Sequence, residues 1–299
     1  MSAPLACAPA WISRRLAAVL AGLTAVAPAS ASRHPAAAPA SDARFVVYYG
    51  TEDDPALSDC DVAVLDAEVD ARLLTRRAPG ACFLGYVSIG EAHSGRGWYA
   101  EAQATPGLLL DANASWPDAR FVDLRIEAWS DLVLDRIAPD IMARGFDGLF
   151  LDTIDDAEHL ETRDPQAFAG MVEAAARLVR RLRARFPAAP IMVNRGYAVL
   201  PRISGQFDML LGESVRAAHD AARDSYVILP PGDYAWQRDR MWAARRRDPA
   251  LRLFALDYWN PDDAAGIAQL YADHRHDGFV PYVATRDLTR IIPAPGAAP

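Results

Sequence analysis

Six apolar runs in this chain end on, or just before, a side chain that can move a proton or hold a hydroxyl. They are Asp66 after VAVL, Glu91 after YVSIG, Asp152 after LFL, Asn194-Arg195 after IMV, Glu213 after LLG and Asp257 after FAL. A carboxylate at the end of a buried strand costs desolvation free energy unless it is paired, hydrogen-bonded or put to use. Crowded acids raise one another's pKa, which suits a proton donor. Two such groups across a glycosidic bond serve as nucleophile and acid/base. Other chemistries fit less well. The histidines (34, 93, 159, 219, 274 and 276) form no H-E-x-x-H, and their one H-x-H spacing is His274-Arg275-His276. His274 and His276 fall late on a helix, as solvated residues would. An all-carboxylate Mg²⁺ or Ca²⁺ site is a minority alternative, so no metal or cofactor is expected. A G-x-S-x-G elbow is absent. The chain has no lysine, so Schiff-base, pyridoxal-phosphate and Walker-lysine chemistry are excluded.

For these side chains to meet, the elements carrying them must converge. Strand-like runs occur at 45–49, 62–66, 82–89, 148–152, 190–194, 208–213, 252–258 and 279–284. Helical periodicity lies between them, as at 128–144, 165–185 and 262–275. Asp164-Pro165 and Asn260-Pro261 read as starts for the last two. Eight short buried strands alternating with helices predict an α/β (β/α)8 TIM barrel with a long insertion after strand three. Its active site would sit at the carboxyl ends of the strands. A doubly wound sheet is the runner-up, but no glycine-rich turn follows the first strand. The arginine-rich segment 177–186 keeps Leu178, Val179, Leu182 and Phe186 on one stripe, and reads as a solvated helix face.

The 299 residues divide into an expected secretory signal (1–31), a Pro/Ala-rich linker (32–43), a barrel domain (44–292) and a disordered tail (293–299). Arg14-Arg15, the apolar run 16–27 and Ala29-Ser30-Ala31 make the export pattern. No later run is long enough to span a membrane, so a secreted or periplasmic monomer is expected. The formal charge is −8, and removing two signal-peptide arginines makes it −10. That disfavours nucleic acid and suits a cationic partner. Cys60 and Cys82 lie near the start of consecutive strands, so an oxidising compartment makes a disulfide the expectation, with two buried thiols as the alternative.

Five motifs in this order, GYVSIGEA (85–92), FVDLR (121–125), GFDGLFLDTID (145–155), VNRGY (193–197) and GES (212–214), resemble glycoside hydrolase family 114. These are the endo-α-1,4-polygalactosaminidases and related barrels once described as extracellular cysteinyl-tRNA-synthetase-like proteins. The resemblance covers most of 44–292. It implies a retaining hydrolase of galactosamine-containing polymers, with Asp152 as nucleophile and Glu213 as acid/base. The residues alone also allow Asp152 to pair with Asp257, and a non-catalytic sugar-binding barrel is the alternative outside catalysis. Asp66, Glu91, Asp123, Asp155 and Asp257 are candidates for sugar ammonium or hydroxyl groups. Asp123 could equally form an ordinary pair with Arg125. Asn194 and Arg195 could orient an acid or a sugar. Tyr48, Tyr86 and Ser88 would bond the acids or fill the barrel. Tyr258, with Trp259, Trp98, Tyr99 and Trp116, could form sugar platforms.

Overall fold

The computed structural model describes residues 43–296. The expected export segment, the tether up to Asp42 and residues 297–299 lie outside the described residues. Eight strands form one parallel sheet: β1 (Phe45–Tyr48), β2 (Val62–Leu65), β3 (Cys82–Ser88), β4 (Gly148–Asp152), β5 (Ile191–Asn194), β6 (Met209–Glu213), β7 (Arg252–Tyr258) and β8 (Val280–Ala284). Each lies within one residue of its expected span, because continuous apolar runs suit strands buried on both faces. They neighbour one another in chain order. β8 returns to β1, where the Phe45 and Tyr282 rings lie 6.2 Å apart. The sheet therefore curls into a nearly closed barrel.

Side chains alternate across each strand, so one inward residue sets the parity of the rest. Phe45 and Phe254 belong to non-adjacent strands, and their rings meet 4.9 Å apart across the interior. Hence Phe45, Val47 and Tyr49 face inward from the first strand and its continuation. Phe254, Leu256 and Tyr258 do so from β7. Tyr48 and Asp257 face the outer layer.

The amino ends of the strands are tied by aspartates at alternate positions. Asp147 Oδ2 accepts from Phe83 N at 2.8 Å, and Asp208 Oδ2 accepts from Ile191 N at 2.9 Å. Arg77 and Arg183 neutralise these two carboxylates. Asp61 accepts from Arg44 N in the same way. These tying acids thus occupy the amino end of the barrel, opposite the carboxyl end where this fold carries active sites.

The outer layer is less regular than the expected alternation. The β1–β2, β2–β3 and β5–β6 connections carry only single turns, at Pro55–Asp59, Ala71–Leu74 and Leu200–Arg202. The helix expected over 128–144 runs from Glu127 to Ala143 but contains a π segment, Val133–Ile137, just before Pro139. The missing proline N–H makes the wider turn inexpensive. The helix expected from Pro165 begins at Met171, because Gly170 is left-handed (φ 92°) and Asp164 instead caps a separate turn through Gln166 N and Ala167 N. The last helix starts at Ala264, capped by Asp263 rather than Asn260. Helix Met171–Arg185 buries its apolar stripe as expected, and Arg180, Arg181 and Arg183 pair with acids.

The insertion after β3 holds a helix (Tyr99–Ala104) and a three-stranded antiparallel sheet of Glu91–His93, Trp116–Val122 and Leu109–Asn113. Trp129 fastens it: the ring is fully buried, and its Nε1–H donates to the Ile89 carbonyl at 2.8 Å. Burial of such a ring contributes about 3 kcal/mol, and the hydrogen bond spares the indole N–H a desolvation cost.

Candidate active site

Asp152, Asn194 and Glu213 are the last residues of β4, β5 and β6, all inward-facing. The Asn194 amide nitrogen donates to both acids, at 2.8 Å to Asp152 Oδ1 and 2.7 Å to Glu213 Oε2. Those two bonds laid end to end limit the separation of the bridged oxygens to 5.5 Å. Tyr258 donates to the other Glu213 oxygen at 2.7 Å. Burial, then the charge of Asp152, raises the pKa of the Tyr86 hydroxyl, and the Tyr86 ring meets Tyr49 edge-on at 5.5 Å. Two aligned carboxylates thus share an amide floor and tyrosine walls.

Each strand end turns sharply after its functional residue. Thr153, Arg195 and Ser214 follow Asp152, Asn194 and Glu213, and all three are left-handed, with φ of 57°, 54° and 51°. L-residues adopt this region at a cost, and such strain concentrates where geometry is held for function. Hydrogen bonds over-determine the first of these turns. Thr153 Oγ1 donates to the Asp152 carbonyl, accepts from Gly90 N, and meets Ser88 Oγ at 2.8 Å. Gly90 has no alternative here, since a Cβ would lie 2.3 Å from the Thr153 carbonyl oxygen.

The electrostatics are those of crowded acids. Burial, then the charge of Glu213, pushes the Asp152 carboxyl up to about 7, opposed by the Asn194 bond. Burial beside Asp155 and Glu91 pushes Asp156 well above the carboxylate range. One Asp156 oxygen is buried with no hydrogen-bond partner. Glu91 is also raised, chiefly by burial, while accepting from Asn113 Nδ2 at 2.5 Å. Arg195 answers this cluster, 3.6 Å from Asp155. Asp66 sits at the rim in a two-pronged pair with Arg96, at 2.6 and 2.9 Å. That guanidinium holds Asp66 below the usual carboxylate range despite its burial.

The structure therefore gathers Asp152, Glu213, Asn194, Tyr86, Tyr258, Ser88, Glu91, Asp155, Arg195 and Asp66 around one mouth. It removes three of the expected site residues. Tyr48 faces outward and donates to the Glu52 carbonyl at 2.9 Å, while its neighbour Tyr49 feels the charges of Asp152, Glu213 and Asp66. Asp123 is clamped by Arg125 at 2.7 Å, and Arg125 also holds the Ala167 carbonyl; this is the ordinary ion pair. Asp257 is fully buried on the outer face of β7, with both oxygens occupied by protein donors. Its partner His274, expected at the surface, is buried with it. The expected disulfide is absent too, since Cys60 and Cys82 are separate thiols. Parallel register sets Cys82 opposite Val62, and the Cys60 thiol turns to the Ala56 carbonyl at 3.3 Å. Burial pushes both thiols up to about 12.

Tyr49 and Asp156 are the site residues that sequence reasoning missed. Inward parity from Phe45 would have found Tyr49. Asp156 directly follows the GFDGLFLDTID motif, but only the turn at Thr153 brings it back toward Glu91.

A parallel barrel with two bridged carboxylates at its carboxyl mouth is an arrangement suited to glycoside hydrolysis. The model of glycoside-hydrolase family GH114 matches residues 25–297, and the chain belongs to that family. The glycoside hydrolase domain of PelA from Pseudomonas aeruginosa is 27% identical, with a TM-score of 0.72 over 83% of this chain and 96% of that domain. Ega3 of Aspergillus fumigatus, solved in complex with galactosamine, superposes with a TM-score of 0.63 over 87% of this chain and 98% of its own. At 13% identity that second likeness speaks for the fold alone. An uncharacterised protein of Deinococcus radiodurans is 27% identical over 226 residues, 72% of this chain and 68% of its own length. Among the described residues, no helix is long and apolar enough to cross a membrane.

Proposed function

We propose that this hydrolase is exported and cleaves α-1,4-linked, galactosamine-containing polysaccharide with retention of anomeric configuration. The observation that carries the mechanism is the Asn194 bridge. It keeps the facing oxygens within 5.5 Å, the range of retaining pairs at about 5–5.5 Å, whereas inverting pairs stand about 6.5–9.5 Å apart to admit a water.

In the first step Asp152 attacks the anomeric carbon while Glu213 gives its proton to the leaving glycosidic oxygen. Water then displaces the Asp152 ester, and Glu213 takes that water's proton. Asp152 must be ionised to attack, yet burial beside Glu213 favours its protonated form up to about pH 7. A sugar ammonium beside Asp155, Asp156 and Glu91 offsets the repulsion among the crowded acids and favours the ionised Asp152 that attack requires. The acid-rich mouth thus favours a cationic sugar over a neutral one. The ordered family motifs and the export pattern at residues 14–31 support the substrate and the location respectively.

The test is a reducing-end assay on defined α-1,4-galactosamine oligomers, with Asp152→Asn as control, and NMR of the first product anomer. Release of the α-anomer is expected. Release of the β-anomer would make the enzyme inverting, and no release by the unaltered protein would refute the substrate.

A further inference from the structure

We propose that Asp257 and His274 are positioning residues for Glu213, acting from the outer face of the barrel. The proposal rests on the reading of Glu213 as acid/base. Asp257 Oδ1 accepts from Val215 N at 2.8 Å and Arg216 N at 2.9 Å, the two amides that follow the turn after Glu213. Asp257 Oδ2 faces His274 Nε2 at 2.6 Å, and both side chains are fully buried. His274 Nδ1 is buried with no hydrogen-bond partner, so the ring proton belongs on Nε2, where the carboxylate accepts it. No part of Asp257 is free to touch a substrate.

The turn it grips is the strained one. Ser214 has φ 51°, its N–H donates to the Leu256 carbonyl at 2.8 Å, and its carbonyl accepts from Gln237 Nε2 at 2.7 Å. Every backbone donor from Ser214 to Arg216 is thus taken by β7 main chain or by Asp257. Without the carboxylate, the buried Val215 amide and the part-buried Arg216 amide lose their acceptor, and Ser214 can relax toward a right-handed conformation. Glu213 would then swing off Asn194 and Tyr258. A shift of about 1 Å in a reacting group costs on the order of 100-fold in rate.

The experiment compares Asp257→Ala and Asp257→Asn in the full chain, by the reducing-end assay on α-1,4-galactosamine oligomers. Asp257→Ala is expected to lose about 100-fold in kcat with KM within about twofold, since the sugar contacts remain. Asp257→Asn keeps an oxygen for both amides and is expected to recover at least about tenfold of that loss. An alanine variant within about threefold of the original kcat, or an asparagine variant equally impaired, overturns the proposal. Hydrogen exchange on the unaltered protein decides the matter even if the alanine variant does not fold. Val215 and Arg216 amides should exchange as slowly as those of β6 and β7; exchange at the rate of an exposed loop overturns the grip. If the unaltered protein releases no reducing ends, the functional reading fails, and exchange alone judges the positioning.

Discussion

The segments LFLD (149–152) and FALD (254–257) look interchangeable, yet their aspartates have opposite fates. Asp152 is the last residue of β4 and shares the phase of inward Phe150, whose ring lies 6.1 Å from that of Tyr86. It enters the mouth and is left to chemistry. Asp257 shares the phase of Ala255, while Phe254, Leu256 and Tyr258 take the inward positions. It leaves the barrel and is saturated by two amides and an imidazole. The same residue after the same kind of run faces the open mouth on one side of the barrel wall and backbone donors on the other. A single step of strand parity makes the difference.

The sharpest way to break this contrast is to neutralise each aspartate in turn. Asp152→Asn should cost about 1,000-fold or more in kcat, because it removes the attacking group. It should also stabilise the fold. The Asp152 pKa stands at about 7 in the folded protein against an ordinary 3.8. The folded state therefore holds a proton that the unfolded chain releases, and stability falls as the pH rises between those values. The gain in Tm on Asp152→Asn should accordingly be larger at pH 8 than at pH 5. A gain larger at pH 5 would refute the raised value.

Asp257→Ala should behave oppositely and lower Tm at both pH values. Its two amides and His274 would lose their partner at about 1–3 kcal/mol for each buried group left unsatisfied. Thermal unfolding that matches the unaltered protein would refute the structural role.

Asn194→Ala sharpens the comparison inside the mouth. Losing the shared donor should raise the Asp152 pKa further and move the acid limb of kcat/KM upward from about pH 7. An unmoved limb would detach Asn194 from the titration. The neighbours Tyr49 and Tyr48 form a smaller pair of the same kind. Tyr49→Phe should cut kcat/KM by about tenfold, while Tyr48→Phe should leave it within about twofold. Equal losses would argue against their opposite orientations. Least of all, dithiothreitol should leave Tm unchanged, because Cys60 and Cys82 are not bridged.

Strand spans were legible because a barrel strand is apolar on both faces and its ends carry the polar groups. Asp152, Asn194 and Glu213 were legible for the same reason. The errors come mainly from the outer layer and from parity. Listing Asp257 with Tyr258 placed adjacent strand residues on one face, which a period of two forbids, and Tyr48 for Tyr49 is the same slip in β1. His274 looked solvated because it sits in the last turn of helix Ala264–His276 among Arg275 and His276, both exposed. Nothing in that local run reveals Asp257 beneath it. Pro165 and Asn260 were sound helix-start signals, but left-handed Gly170 and the Asp263 cap replaced them.

The sequence by itself determined which residues become strands and that polar groups, Asp152, Asn194 and Glu213 among them, collect at their carboxyl ends. Those are consequences of hydrophobic burial and of motif order along the chain. Only the tertiary structure decided which acids face the mouth and which face the backbone. It also decided that Cys60 and Cys82 stay apart and that one asparagine joins both carboxylates. Those outcomes depend on strand register and on the direction of each turn, and these are set by contacts between residues distant in sequence.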